Sequence, residues 1–500
     1  MARRIRARNK RTISFAVLGL APALVIGGIM IAGSPTESGP VSLSAGSEIT
    51  LIGHGHGHGR GMGQWGAFGY AKRGWSAAQI LGHYYGGTTA GKASNPEVSV
   101  TLTKQGSVNV RADAGMRVGG QAVAPGQAVS LSGTTATITN GCGGAVVRSV
   151  AAQFVEPVNM AASRPANELL TMCGSNTAYR GALGLDGGRV VNKLNVDDYV
   201  KGVIPKESSP GWGDQGGMEA LKAQAIAART YALAAIAGGK KLDDTQNSQV
   251  YGAVAGEDPR TNAAADATAG QIRLSGGKPA FTEFSASTGG FTAGGNFPAV
   301  VDDGDSVAPD HNWTATVSAG SIGSAFGVGA LQSLQVIEAN GLGAEDGRAV
   351  KVRAVGSGGT KEVTGEEART LLQLKSAWFT VKGQTTRPKI VKPQVGSSTM
   401  GGDFGSVDLG SLADTLLSSA QSIFAGRYTE LGGVLGPLGN AVGLPTLTPD
   451  GAGVIQMFDR GMMLFSQKTG AHVLAGNGFE RYKAAGGLPV LGFPRVDSLN

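Results

Sequence analysis

Between Pro96 and Thr139 apolar and polar residues alternate with a period of two in short runs: Val98, Val100 and Leu102, then Val108 and Val110, Val129 and Leu131, Ala136 and Ile138. Such spacing buries one face of each run and predicts short strands separated by turns. The pattern changes at Met218–Ala237, where nine of twenty residues are alanine. Gly216 and Gly217 lead into that stretch and Gly238–Gly239 end it, so it reads as one long helix. So little side-chain volume lets other backbone approach closely, which suits a buried central helix beside a groove. Gln224 and Tyr231, seven residues apart, share one of its faces. Ala71, Trp75, Ala78, Ile80 and Leu81 give helical spacing over Ala71–Tyr85, with Ser76 as N-cap of the second half.

Composition narrows the class. Five hundred residues exceed one ordinary domain. Glycine, at 82 residues without a G-X-Y period, indicates many turns in a folded chain rather than collagen. The net charge is +7, but Arg3, Arg4, Arg6, Arg8, Lys10 and Arg11 supply six of those positives and leave a nearly neutral body. A nucleic-acid binder would show a basic footprint, so that class is excluded. The basic run leads into Ile13–Gly33, an uncharged apolar stretch long enough to cross a bilayer. It reads as a membrane anchor or a signal peptide; the length of its apolar core favours the anchor. The remainder is then extracytoplasmic, where Cys142 and Cys173 are expected to form a disulfide.

Two stretches carry chemistry. Glu207 stands between Pro205 and Pro210, directly before the long helix, and is expected on a stiffened loop aimed into the groove. Gly53–Gly66 alternates glycine with His54, His56 and His58, which would share one face of a strand. Three imidazoles suggest a metal, but no nearby Cys or carboxylate completes a ligand set, so no metal is assigned. The run Asp302, Asp303, Asp305 lacks the spacing of a calcium loop and reads as a solvated turn.

Leu194 to Glu207, followed by Ala220 to Ala232 (ALKAQAIAARTYA), resembles the signature of the SpoIID/LytB family of cell-wall proteins. Gly57-His58-Gly59-Arg60-Gly61-Met62-Gly63-Gln64-Trp65-Gly66-Ala67 resembles the second signature of that family, placed here before the first, as in actinobacterial members. Gln249 to Gly252 and Ala280–Thr292 follow the same family. Several relatives have a zinc-linked histidine where this chain has Ser285, so zinc is not expected there. The tail repeats itself with a period near 54 residues: Tyr428, Gly432–Gly433 and Leu438–Gly439 are echoed by Tyr482, Gly486–Gly487 and Leu491–Gly492. It resembles the LGFP repeats of actinobacterial wall proteins.

The expected fold is α+β: a SpoIID-like core (50–383) with a central Ala-rich helix, an inserted small β subdomain (97–188) and a separate C-terminal repeat domain (426–500). An N-terminal segment (1–33) and linkers (34–49 and 384–425) complete it. The resemblance implies lytic transglycosylase action on peptidoglycan, cutting the bond from N-acetylmuramic acid to N-acetylglucosamine with Glu207 as the acid. His58, Gln64, Gln224, Tyr231, Tyr251 and Ser287 are the candidate sugar-binding residues, and no cofactor is expected. Implied partners are peptidoglycan strands, an envelope polymer through the tail, and the membrane through the N-terminal segment. The competing expectation is a non-catalytic wall-binding protein or amidase enhancer.

Overall fold

The computed structural model describes residues 43–161, 165–392, 420–421, 423–448, 453–466 and 469–499. The apolar stretch Ile13–Gly33, the first linker up to Ser42 and most of the second linker lie outside the described residues. Among the described residues no helix is long and apolar enough to cross a membrane. The architecture is α+β, and residues 43–392 enclose two hydrophobic cores.

The first core surrounds helix α4 (Met218–Ala237), which starts and stops where its flanking glycines place it. Around it stand α1 (Gln64–Lys72), α2 (Ala77–Tyr84), α3 (Val196–Glu207) and α5 (Pro259–Ala267). Ala220, Ala223, Ala227, Ala228 and Ala232 are buried on different sides of α4, so the alanines are what let four helices close on one. Arg229 is fully buried on the same helix, its Nε 2.6 Å from Asp197 Oδ1 in the first turn of α3. The long predicted helix over Ala71–Tyr85 is broken: α1 ends at Lys72, Gly74 turns with φ +85°, and Ser76 caps α2 in a box with Gln79.

The alternating runs form strands with the expected faces inward: Val98, Val100, Val108, Val110, Val129, Ala136 and Ile138 are all buried. They belong to a six-stranded and a seven-stranded sheet. In the larger sheet Glu97–Thr101 lies between Arg189–Asn195, antiparallel, and Leu242–Asp243, parallel. The first of these neighbours runs straight into α3 and the second returns from α4, so the inserted sheet shares its core with the helices. Cys142 and Cys173 are bonded, their Cα atoms 5.8 Å apart.

The second core is built on strand Glu48–His54, which pairs with Asn312–Ser318 on one side and Phe379–Val381 on the other. A four-stranded sheet (strands Leu331–Ala339, Ala349–Gly356, Gly359–Thr364 and Lys389–Ile390) and helices α6 (Ala319–Phe326) and α7 (Gly365–Leu371) complete it. Leu51 from the start of the domain packs with Trp313, Leu334 and Phe379 from its end. The glycine-rich block therefore leaves the second core at His54 and enters the first at Met62.

The C-terminal region has its own core around Phe424, Leu438, Met463 and Val473. Its four strands (Ala441–Leu447, Val454–Phe458, Gly461–Ser466, Gly470–Ala475) form a meander followed by short helices. The repeat is physical as well as sequential. Tyr428 donates its hydroxyl to the Gly439 carbonyl and Tyr482 to that of Gly492, each at 2.6 Å. Gly432 and Gly486 each follow the Tyr-bearing segment with positive φ, +88° and +98°.

Candidate functional site

Glu207 is the last residue of α3 rather than part of a loop. Pro205 lies inside the helix and does not break it, because Val203 and Ile204 are locked in the core and the helix has only one turn left to run. The Ser208 amide closes that turn on the Ile204 carbonyl at 2.8 Å. Glu207 projects half-buried from this end. The Val250 amide donates to its Oε1 at 2.9 Å, and the Gln64 side chain bonds the same carboxyl group. Burial pushes the Glu207 pKa up, and these two hydrogen bonds oppose the rise without cancelling it. Lys206, whose charge would have worked against it, lies over Gly252 and Gly256, where any Cβ would strike its alkyl chain.

Gln64 opens α1 and is buried; its Nε2 reaches Gln224 Oε1 on α4 at 3.4 Å. Gln64, from one signature, thus links the Glu207 carboxyl group to Gln224, from the other. The Gln224 Nε2 is buried and unpaired among the described residues. Tyr231, two turns further along α4, stands half-buried with its ring 4.6 Å from Phe281 and with Phe284 beyond. Beside Gln64, Trp65 is half-buried against Phe68 and Trp212, whose rings stack at 4.8 Å.

The other expected ligand-binding residues go elsewhere. Tyr251 is buried, its hydroxyl donated to Asn192 Oδ1 at 2.9 Å and its ring stacked on Tyr199, so it supports the floor of the site from behind. His58 accepts the Arg60 amide at Nδ1, and its pKa falls to about 3 through burial and the charges of Arg60, Arg348 and Arg369. It is a neutral imidazole. Ser287 is fully buried and donates to Asp305 at 2.8 Å. The three histidines do not share a face either. Gly55, Gly57 and Gly59 all have positive φ, so the block is a chain of tight turns. His54 bonds Asn312 and His56 bonds Asp310. Among the described residues no three His, Cys, Asp or Glu side chains converge as a metal site.

The acidic run is also not a solvated turn. Asp302 and Asp305 are fully buried, holding Thr288 and Ser287 respectively at 2.7 and 2.8 Å. Residue-type patterns alone gave no sign of this, since the partners lie on another loop. Sequence reading also missed Tyr199 and Gln249, which line the Glu207 side of α4: Gln249 Nε2 bonds the Tyr199 hydroxyl and the Ala228 carbonyl. Both fall within quoted signature segments, but their burial was not legible from them.

Comparison with known proteins finds two family segments in the chain. Residues 186–274 match the model of SpoIID, a stage II sporulation protein, and residues 438–488 match the LGFP repeat. The SpoIID match runs from the hairpin before α3 through α4 and α5, so it contains Glu207, Gln224 and Tyr231 but not Gln64. An uncharacterized protein of Brachyspira hyodysenteriae is 47% identical over 108 residues, 21% of this chain and 28% of that protein. The amidase enhancer of Bacillus subtilis is 36% identical over 125 residues, 24% of this chain and 17% of that protein. The chain therefore spans less than a third of the length of either relative.

Proposed function

We propose that this chain, which carries a SpoIID segment and an LGFP repeat, is an exported lytic transglycosylase of peptidoglycan. It cleaves the bond from N-acetylmuramic acid to N-acetylglucosamine. The observation that carries the reading is the Glu207 carboxyl group, half-buried, with a raised pKa and bonded to Gln64, which in turn reaches Gln224. A carboxyl group that holds its proton more tightly than usual can donate it to the glycosidic oxygen. Most glycosidases need a second carboxylate to handle water or the sugar cation. Here the muramic acid's own C6 hydroxyl is the nucleophile, at high effective concentration within the substrate. Glu207 protonates the leaving oxygen, the C6 oxygen attacks C1, and Glu207 takes back the C6 hydroxyl proton. The products are a 1,6-anhydro-N-acetylmuramic acid end and an N-acetylglucosamine whose 4-hydroxyl is freed as a new non-reducing end, with no net consumption of water. Gln224, Gln64 and Tyr231 hold the sugar in this scheme, and the C-terminal repeats attach the protein to an envelope polymer.

The test is to incubate the purified protein with peptide-free glycan and look for anhydro ends by mass spectrometry. Wild type should yield them and Glu207→Gln should not, with a loss of about 100-fold or more. A second reading is supported by the name of the Bacillus subtilis relative: the groove grips glycan and enhances an amidase. Equal glycan binding by both proteins, with no anhydro product from either, would favour it.

A further inference from the structure

A pocket of about 480 Å³ opens beside the Gly289–Gly290 turn, lined among others by Arg73, Asp303, His311 and Trp378. No residue of the Glu207 cluster lines it. Its most ordered feature is a buried carboxylate behind a half-exposed histidine. Asp305 Oδ2 accepts the Ser287 hydroxyl at 2.8 Å, the Gly289 amide at 2.9 Å and His311 Nδ1 at 2.9 Å, while its Oδ1 accepts the Thr288 amide at 3.0 Å. So many donors fix the carboxylate, and the carboxylate in turn fixes the imidazole with Nδ1–H donated inward and Nε2 left for the pocket. Gly290 keeps the ring open: a Cβ there would come within 3.2 Å of His311 Cε1.

The lining selects among ligand classes. A cation finds only the rim carboxylate of Asp303, with the Arg73 guanidinium beside it, because the Asp305 oxygens are taken up by protein donors and Asp302 is held by Thr288 and Tyr84. An anion would meet Asp303 at the rim and two more carboxylates behind it. A neutral ligand rich in hydroxyls suits both Nε2 and the Arg73 guanidinium, since a hydroxyl donates or accepts as required. The Trp378 indole supplies apolar wall, and the volume falls in the usual range for small-ligand sites, about 300–1,000 Å³.

We propose that this pocket binds a sugar ring of a glycan strand, with His311 Nε2 and Arg73 as its polar contacts, as a subsite separate from Glu207. One segment joins the two places. A Cβ on Gly63 would lie 2.6 Å from Asp302 Oδ2, and one on Gly66 would strike Asp302 and Tyr84, while Gln64 between them reaches toward Glu207. The inference rests on the glycan reading above.

The experiment uses the full chain carrying Glu207→Gln, so that binding is measured without turnover. Peptide-free glycan oligosaccharides of increasing length are titrated calorimetrically, with and without His311→Ala, and His311→Asn serves as a second variant that keeps a donor toward Asp305. Melting midpoints establish that each variant is folded. The expected result is an affinity loss of about tenfold for long oligosaccharides and less than about twofold for short ones. Unchanged affinity at every length for both variants, or an equal loss at every length, overturns the subsite while leaving glycan binding intact. If the parent protein binds no oligosaccharide at all, the glycan reading fails first and takes the subsite with it.

Discussion

The side-chain amides of Gln64 and Gln224, 160 positions apart in the chain, meet at 3.4 Å beside the carboxyl group of Glu207. Neither glutamine has another side-chain partner in its own signature, and each is buried. A buried amide needs its hydrogen bonds met, so this pair fixes the approach of α1 to α4 as well as the orientation of the acid.

Gln64 hydrogen-bonds Glu207 and lowers its pKa against the rise caused by burial. Gln64→Leu removes that support for the charged form. The proton donor then survives to higher pH, and the alkaline limb of the pH–kcat profile should move upward. A limb that stays put or moves down would count against Glu207 as the acid.

Glu207 also links stability to pH. Its pKa in the fold is raised above the unfolded value, so the folded state holds the proton more tightly. That contribution is complete below the unfolded pKa of about 4.3 and is lost as pH rises through the folded pKa. Glu207→Gln should therefore melt higher than wild type at alkaline pH, with the gap closing under acid conditions. Calorimetric melting across that pH range checks the sign.

Gly66 has no room for a side chain: a Cβ would strike the Tyr84 hydroxyl and both Asp302 oxygens. Gly66→Ala should cost about 1–3 kcal/mol through overpacking and shift Gln64 away from Glu207. Denaturant melts read the first effect and the yield of anhydro ends reads the second.

The Cys142–Cys173 bond closes a separation of 31 residues. Replacing both cysteines by alanine should lower stability by about 3.7 kcal/mol in the chain-entropy model. Reduction of the wild type should reproduce the loss, and the double variant should no longer respond to reductant.

The tyrosine contacts in the tail make a symmetrical prediction. Tyr428→Phe and Tyr482→Phe each remove one 2.6 Å hydrogen bond to a glycine carbonyl. Each should cost about 1 kcal/mol, and the two losses should be similar. Markedly unequal melting shifts would show that the two copies do not use the tyrosine alike.

Much of this protein was readable before folding. The borders of α4, the inward faces of the β runs and the Ser76 cap follow from local rules of spacing and capping, the cysteine pair from there being just two cysteines, and the tail repeat from its period. Glu207, Gln64 and Gln224 stood out because their neighbours formed recognisable signatures. The predicted Pro-bounded loop around Glu207 failed where a local rule met a stronger one: burial of Val203 and Ile204 carried the helix through Pro205.

What sequence alone determined is whatever depends on neighbours a few residues away: element type, caps and turn glycines. The tertiary structure alone decided which distant groups share a cavity. It turned the Asp302–Asp305 run from an apparent solvated turn into the buried support of Ser287, Thr288 and His311. It also sent His54, His56 and His58 to separate partners through left-handed glycines, and it set Tyr251 behind the site instead of in it. Burial and hydrogen-bond pairing are properties of the whole packed chain, and a charged residue's surroundings exist only once that chain has closed around it.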